Sequence, residues 1–337
     1  MSTKTFEVLG FASEEAYLFP AIVNLCVIRG LCPCRCVHCP VGILSDSDRI
    51  NAFGGSTTSL ELFKKIVDEM SFFQLSTLRI HGVGEPILWE DLPIAIKYAF
   101  DRKVRTWLFT SLCTPRSSLV EHLARSCNII EVSANSYDPQ DYMRTKGVDE
   151  FQQVTDNIKL LRKVIQKEDL DTRLLISRVE SEDRNYDASF VRYWKESGLV
   201  DDAFIRSYHD YNSIMPRRDG KPRNGIRCLV HWARFNIDCD GKAILCFNEL
   251  FRLERRVDLV LGDVNQQHIK DIWRSEKLNM VREAQISGDY SLIRFANQIP
   301  CENCTSCQPL DEGRPTSENQ IKQMITDDNG QTGTILH

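Results

Sequence analysis

Between residues 21 and about 210, short apolar runs alternate with longer stretches in which apolar residues recur at helical spacing. The runs are Ala21–Ile28, Thr77–His81, Val104–Phe109, Ile129–Ala134, Arg173–Val179 and Ala203–Ser207. Each is rich in Ile, Val, Leu or Phe and bounded by turn residues, which predicts six strands. Ser59–Met70 opens on a Ser cap and carries Leu62, Ile66 and Met70 on one face, so it reads as a helix. Leu92–Arg102, Ser117–Arg125, Glu150–Gln166 and Asp187–Gly198 read likewise, with Gly198 as a C-terminal stop. Strand and helix alternating in this order predict an α/β fold, a parallel sheet curled into a partial (β/α)6 TIM-like barrel. Reactive groups in such folds collect at the C-terminal ends of the strands.

The pattern changes after residue 207. Residues 208–227 are rich in Pro, Gly, Asn and Arg, which marks a domain boundary. The alternation in ARFNIDCDGKAILCFN turns about Asp240-Gly241, a hairpin signal, because Gly supplies the positive φ of a tight turn. Helices are expected at His268–Ser275 and Lys277–Ser287, and the chain becomes polar from about Pro309. The expected domains are an extension over 1–20, a barrel over 21–210, a small α+β domain over 221–310 and a tail over 311–337.

Composition narrows the classes. The chain has 337 residues, 42% hydrophobic and 26% charged, an ordinary globular mix for a large domain plus a small one. No apolar run reaches the ~18 residues of a membrane helix. The first residues lack the basic and apolar regions of a secretory signal, so a cytoplasmic protein is expected. A net charge of −5 disfavours a broad nucleic-acid surface. Thirteen cysteines stand out. An intracellular chain does not spend them on structural disulfides, so metal chemistry is the better reading.

Their placement supports this. Cys26, Cys32, Cys34, Cys36 and Cys39 lie within 14 residues near the N-terminus; Cys228, Cys239 and Cys246 form a second group, and Cys301, Cys304 and Cys307 a third; Cys113 and Cys127 stand apart. Thiolates at close spacing can converge on zinc or on an iron–sulfur cluster. Cys32, Cys36 and Cys39 are spaced CxxxCxxC. Three ligands suit a four-iron cluster with one open iron, whereas structural zinc wants four, for which Cys26, Cys34 or His38 could be recruited.

This spacing, its place after the first strand, and HGVGEP after the second resemble the radical S-adenosylmethionine (SAM) superfamily, over roughly residues 20–210. The resemblance implies that Cys32, Cys36 and Cys39 bind a [4Fe–4S] cluster whose open iron takes the amino and carboxylate groups of SAM. One electron then cleaves SAM to methionine and a 5′-deoxyadenosyl radical, which abstracts hydrogen from a substrate carbon. Gly82, Gly84, Glu85 and Pro86 match the turn that binds the SAM amino group, with glycines where backbone approaches ligand. Ser133 and Asn135 match positions that touch the SAM ribose or carboxylate, and Arg178 is a candidate contact to SAM or substrate. His38 stands where the family usually has an aromatic residue, as a candidate neighbour of adenine. The third strand ends in Phe109-Thr110-Ser111-Leu112-Cys113 rather than a Thr-Asn-Gly-like turn.

Residues 225–310 resemble a SPASM or shorter twitch domain, the iron–sulfur extension of many radical SAM enzymes. The resemblance rests on Cys228, Gly241 and Cys246 in hairpin spacing, then Leu261-Gly262-Asp263-Val264, Asp271-Ile272-Trp273 and Cys301–Cys304 in order. It implies one auxiliary [4Fe–4S] cluster on Cys228, Cys246, Cys301 and Cys304, with Cys307 a rival for the last place; a zinc site on the same thiolates is the alternative. Cys26, Cys34, Cys113, Cys127, Cys239 and Cys307 are left over. Buried free cysteine usually acts as a small hydrophobe, but Cys239 and Cys113 are candidate hydrogen-atom donors to a substrate radical.

The expected activity is therefore dehydrogenation or epimerisation of a small polar substrate such as a sugar, aminocyclitol or aminoglycoside, served by an external one-electron reductant such as flavodoxin or ferredoxin. Maturation of a ribosomal peptide, by thioether crosslinking or epimerisation, is the alternative; only about 20 residues precede the first strand, too few for the peptide-binding domain many such enzymes carry. A non-enzymatic zinc or iron–sulfur protein is the remote one. No nucleic-acid or membrane partner is expected.

Overall fold

In the computed structural model, residues 17–74, 76–218, 228 and 230–305 are described. Six parallel strands follow one another across the sheet: β1 (Ile22–Arg29), β2 (Thr77–Val83), β3 (Arg105–Thr110), β4 (Ile129–Val132), β5 (Arg173–Val179) and β6 (Asp202–Arg206). The barrel-forming α/β order expected from the pattern is present, with β5 bounded as predicted and the others shifted by one or two residues. The intervening helices are α1 (Asp46–Phe53), α2 (Leu60–Met70), α3 (Leu92–Asp101), α4 (Ser117–Ser126), α5 (Pro139–Lys146), α6 (Phe151–Lys167) and α7 (Arg184–Glu196). Two of these, α1 and α5, are additions to the sequence reading. Both carry local signals: Ser45 caps α1 by accepting from the Asp48 N–H, Asp138 caps α5 by accepting from the Asp141 N–H, and left-handed Gly54 and Gly147 end them.

Strand register sorts the sheet into two faces. Leu25, Ile80, Leu108 and Ile130 lie in one row, all fully buried. The row behind holds Asn24, Arg79 and Trp107, with the Arg79 guanidinium 5.2 Å from the Trp107 ring centre. Deeper on this polar face Arg206 donates to Glu131, which is fully buried. Burial alone would raise the Glu131 carboxyl; the Arg206 charge outweighs it and holds the group below the usual range.

The C-terminal segment adds α8 (Val230–Ala233), β7 (Arg234–Ile237), β8 (Lys242–Ile244), β9 (Val260–Asp263), α9 (Ile269–Trp273) and α10 (Glu276–Ser287). The expected hairpin joins β7 to β8, with Gly241 at φ +86° in its turn. It does not stand apart from the barrel. β7 pairs in parallel with β1 from Ile22 opposite Arg234 to Leu25 opposite Ile237, and the described strands form one nine-stranded sheet ordered β6-β5-β4-β3-β2-β1-β7-β8-β9. A buried hydrogen bond of 2.9 Å from Asn24 Nδ2 to Asn236 Oδ1 seals this seam.

Candidate active site and auxiliary metal centre

The loop that leaves β1 is held from two sides. Below it, Arg49 of α1 is almost wholly buried and donates to the carbonyls of Cys32 (2.9 Å) and Gly42 (3.2 Å), so one guanidinium fixes both ends of the cysteine loop. On the other side the loop lies along the end of α5: the Arg35 N–H donates to the Lys146 carbonyl at 2.7 Å, and the Val37 N–H to the Thr145 carbonyl at 3.1 Å. The loop folds so tightly that a Cβ on Gly42 would stand 2.2 Å from the Cys36 carbonyl oxygen and 2.5 Å from its nitrogen.

Within this loop the structure brings Cys32, Cys34 and Cys36 together with Cys113 from the end of β3. Hydrogen bonds from Cys113, Cys32 and Cys36 hold the Cys34 thiol well below its ordinary value. The Cys32 and Cys36 thiols are pushed well up, first by donating to Cys34 and then by burial. Cys39 lies beside Cys36 and is raised by burial. Lys146, only 2% exposed, faces this sulfur cluster. Burial alone would lower its ammonium; the Cys36 and Cys34 charges outweigh burial and keep it well above the usual lysine range. Its Nζ donates to the Ser133 carbonyl at 2.8 Å. Burial, then Lys146, drops the His38 imidazole to about 3, so this ring is neutral at ordinary pH.

The Gly82–Pro86 turn is laced to the same loop. The Gly30 N–H donates to the Val83 carbonyl (2.6 Å) and the Glu85 N–H to the Leu31 carbonyl (2.7 Å). At Gly84 the space a Cβ would need is taken by the Leu31 carbonyl, 2.5 Å away, so protein backbone as well as any ligand calls for glycine there. The Glu85 carboxylate is buried, accepting from Thr110 Oγ1 (2.5 Å) and the Ser111 N–H (2.7 Å). Burial still holds it above the usual carboxylate range. Pro86 opens a short 3-10 turn.

Ser133 and Asn135 follow β4, and the Asn135 Nδ2 donates to Ser133 Oγ at 2.9 Å. Asn135 sits at φ +61° with its Oδ1 accepting from the Val179 N–H. Arg178 is buried between Asp187 (2.8 Å) and Asp141 (3.1 Å) and donates to the Asn135 carbonyl. Its guanidinium thus braces the turn that presents Ser133 and Asn135. Cys239 lies in the β7–β8 turn, 3.2 Å from Ser56 Oγ, with its thiol raised to about 11 by burial and Asp238.

The sequence reading passed over Lys146, Arg49 and Gly42. The signal for the first was within reach, because Lys146 ends the capped helix α5. Arg49 and Gly42 become meaningful only once the loop is folded.

A second concentration of thiols lies in the C-terminal segment. Cys228, Cys246, Cys301 and Cys304 all line one pocket. Burial, and then the neighbouring thiols, raise Cys246 and Cys301 well above the ordinary thiol value. The thiols ring a space rather than a point: among the described residues no three Cys, His, Asp or Glu side chains stand where they could share one metal ion. Cys307 lies outside the described residues. Four thiols line a cavity and four more lie in a loop beside a buried cation. Residues 228–308 match the SPASM family, an iron-sulfur cluster-binding domain.

The SPASM match spans all four cavity thiols. The sheet is shared with solved structures of low identity. Streptococcus suis SuiB aligns over 86% of this chain and 78% of that chain at 15% identity, with a TM-score of 0.61. Native anSMEcpe with bound AdoMet aligns over 91% and 96% at 11% identity, with a TM-score of 0.59. The chain therefore shares the α/β partial-barrel fold of these solved structures, followed by the segment that matches the SPASM domain. No curated protein matches the sequence. Among the described residues no helix is long and apolar enough to cross a membrane.

The donor sets fit the groups the fold implies. Four thiols would be a complete set for an auxiliary cluster; Cys32, Cys36 and Cys39 would leave one iron open, and Lys146 would offer a positive charge to the carboxylate of SAM. Substituting Lys146 by Met should keep the fold, since an unbranched thioether chain of similar length fills the same space, and weaken SAM binding about 10-fold or more by removing a buried charge partner. Equilibrium dialysis of the iron-loaded protein checks this; unchanged affinity would show that the ammonium serves the loop alone.

Proposed function

We propose that this chain is a radical SAM enzyme acting on a small polar substrate by dehydrogenation or epimerisation. The observation that carries the proposal is the gathering of Cys32, Cys36, Cys39, the Gly82–Pro86 turn, Ser133 and Lys146 at the C-terminal ends of β1, β2 and β4. When bound, the loop cluster would supply the electron that cleaves SAM to a hydrogen-abstracting 5′-deoxyadenosyl radical. The protein's part is placement. Glu85 is a carboxylate at the turn that would receive the SAM amino group, and Lys146 is the cation for its carboxylate. Neutral His38 presents a ring to adenine without the cost of desolvating a charge. An external one-electron reductant, flavodoxin or ferredoxin in kind, would serve the loop cluster.

Of the two candidate hydrogen-atom donors, Cys113 has the better support: it contacts Cys34 in the cysteine loop, whereas Cys239 is bonded to Ser56 in the hairpin turn. Oxidation is supported by a second thiol site, of four cysteines, in the C-terminal segment. A peptide substrate is the second reading, favoured by two fold relatives solved with peptides, SuiB with precursor peptide SuiA and anSMEcpe with the Cp18Cys peptide.

The test is anaerobic reconstitution followed by a strong reductant and SAM. We expect roughly eight irons per chain, two clusters of four, and release of 5′-deoxyadenosine. Zinc in place of iron, or intact SAM, refutes the enzyme. With substrate in deuterated water, a Cys113→Ala variant should lose solvent-deuterium incorporation if the product is an epimer. Incorporation surviving in both Cys113→Ala and Cys239→Ala removes the thiols from the chemistry.

A further inference from the structure

The auxiliary cavity is lined by more than sulfur. His231, at the start of α8, borders it and is 2% exposed. Its protonation pattern is fixed by two neighbours. The Trp232 Nε1–H donates to Gln285 Oε1 at 2.9 Å, which turns the amide nitrogen of Gln285 toward His231. That nitrogen lies 2.7 Å from His231 Nδ1. An indole N–H and an amide NH2 only donate, so Nδ1 accepts and the hydrogen of the neutral ring sits on Nε2. Nε2 is buried and has no hydrogen-bond partner. The Leu245 carbonyl lies beside the ring without completing a hydrogen bond. His209 also borders the cavity, with a buried Nδ1 that has no partner.

Buried donors are paired in nearly all proteins, and an orphan beside a site points to an acceptor that arrives with the ligand. Here the arriving acceptor is sulfur, since four cysteines border the same space. We propose that the His231 Nε2–H donates to a sulfur of the auxiliary cluster, a thiolate or a bridging sulfide, and raises its reduction potential. The physical reason is charge. Reduction adds an electron to an already anionic cluster, and a hydrogen bond to sulfur stabilises the more negative state. Trp232 and Gln285 are positioning residues, because they hold the imidazole in the tautomer that carries its hydrogen on Nε2.

The inference rests on the auxiliary-cluster reading, and the experiment separates the two. Full-length chain with Cys32, Cys36 and Cys39 all replaced by Ala is reconstituted with iron and sulfide so that only the auxiliary site reports. If this parent takes up no iron, the cluster reading fails before His231 is at issue. If it takes up about four irons, redox titration followed by electron paramagnetic resonance is compared for the parent, His231→Phe and His231→Gln. We expect H231F to keep its iron and show a lower midpoint potential, and H231Q, whose amide can donate from the same place, to stay near the parent. H231F with full iron and an unchanged potential overturns the proposal. Should H231F take up no iron, H231Q decides: a potential near the parent supports the hydrogen bond, and a lowered one overturns it. Histidine labelled with ¹⁵N gives a check on the parent itself, because a hydrogen-bonded ring leaves weak nitrogen coupling in the pulsed spectrum and a remote ring leaves none.

Discussion

Cys36→Ala should cut iron from roughly eight to about four atoms per chain and reduce 5′-deoxyadenosine release by more than about a hundredfold. Cys36 is the middle ligand of the proposed set. It lies between Cys34, which receives its thiol hydrogen, and Cys39, whose N–H donates to its carbonyl at 3.2 Å. A methyl group fills little of the space and donates no electron pair, so two thiols would be left to hold a four-iron unit. The SPASM site should be untouched, since its four thiols line a separate cavity. The outcome is read by iron analysis and chromatography of the nucleoside. Loss of all iron would mean that the two sites do not load independently, and retention of SAM cleavage would exclude Cys36 as a ligand.

Gly42→Ala should be nearly as damaging, although Gly42 bears no reactive group. The added methyl would meet the Cys36 carbonyl at 2.2 Å and its nitrogen at 2.5 Å, both main-chain atoms that cannot swing aside. The loop must open, which also breaks the Arg49 hydrogen bond to the Gly42 carbonyl. Overpacking of this kind costs about 1–3 kcal/mol, and the displacement falls on a residue proposed to hold iron. We expect a lower melting temperature in the iron-free protein and loss of the loop cluster, with the auxiliary irons kept. A variant that melts and loads like the parent would show that the loop is looser than this packing requires.

These two substitutions differ in how visible they were beforehand. Cys36 announces itself by spacing, because ligands to one cluster must be close in the chain to share a tight loop. The six β/α units were legible for a similar reason, since each strand and helix writes its own period into adjacent residues. Gly42, Arg49 and Lys146 were not, because each matters through contacts set by folding: a carbonyl six residues away, two loop carbonyls reached from α1, and sulfurs reached from the end of α5. Helices α1 and α5 were passed over although Ser45 and Gly54, and Asp138 and Gly147, bracket them. Each is only 8 residues long and their interiors are polar, so caps were the only signal. Arg178 shows the opposite case. Its residue type suggested a ligand contact, while Asp141 and Asp187, which engage it, come from helices that sequence does not place beside it.

The seam between β1 and β7 bears on biosynthesis. Asn24 and Asn236 are 212 positions apart, so the partner of the first strand emerges from the ribosome long after that strand has paired with β2. Until then one edge of β1 is open to any stray strand, and contacts this distant form slowly. The nascent protein would be most prone to aggregation in that interval. The same interval leaves the cysteine loop at the exposed end of an incomplete sheet, where machinery that delivers iron and sulfide could reach it before the SPASM strands close the edge.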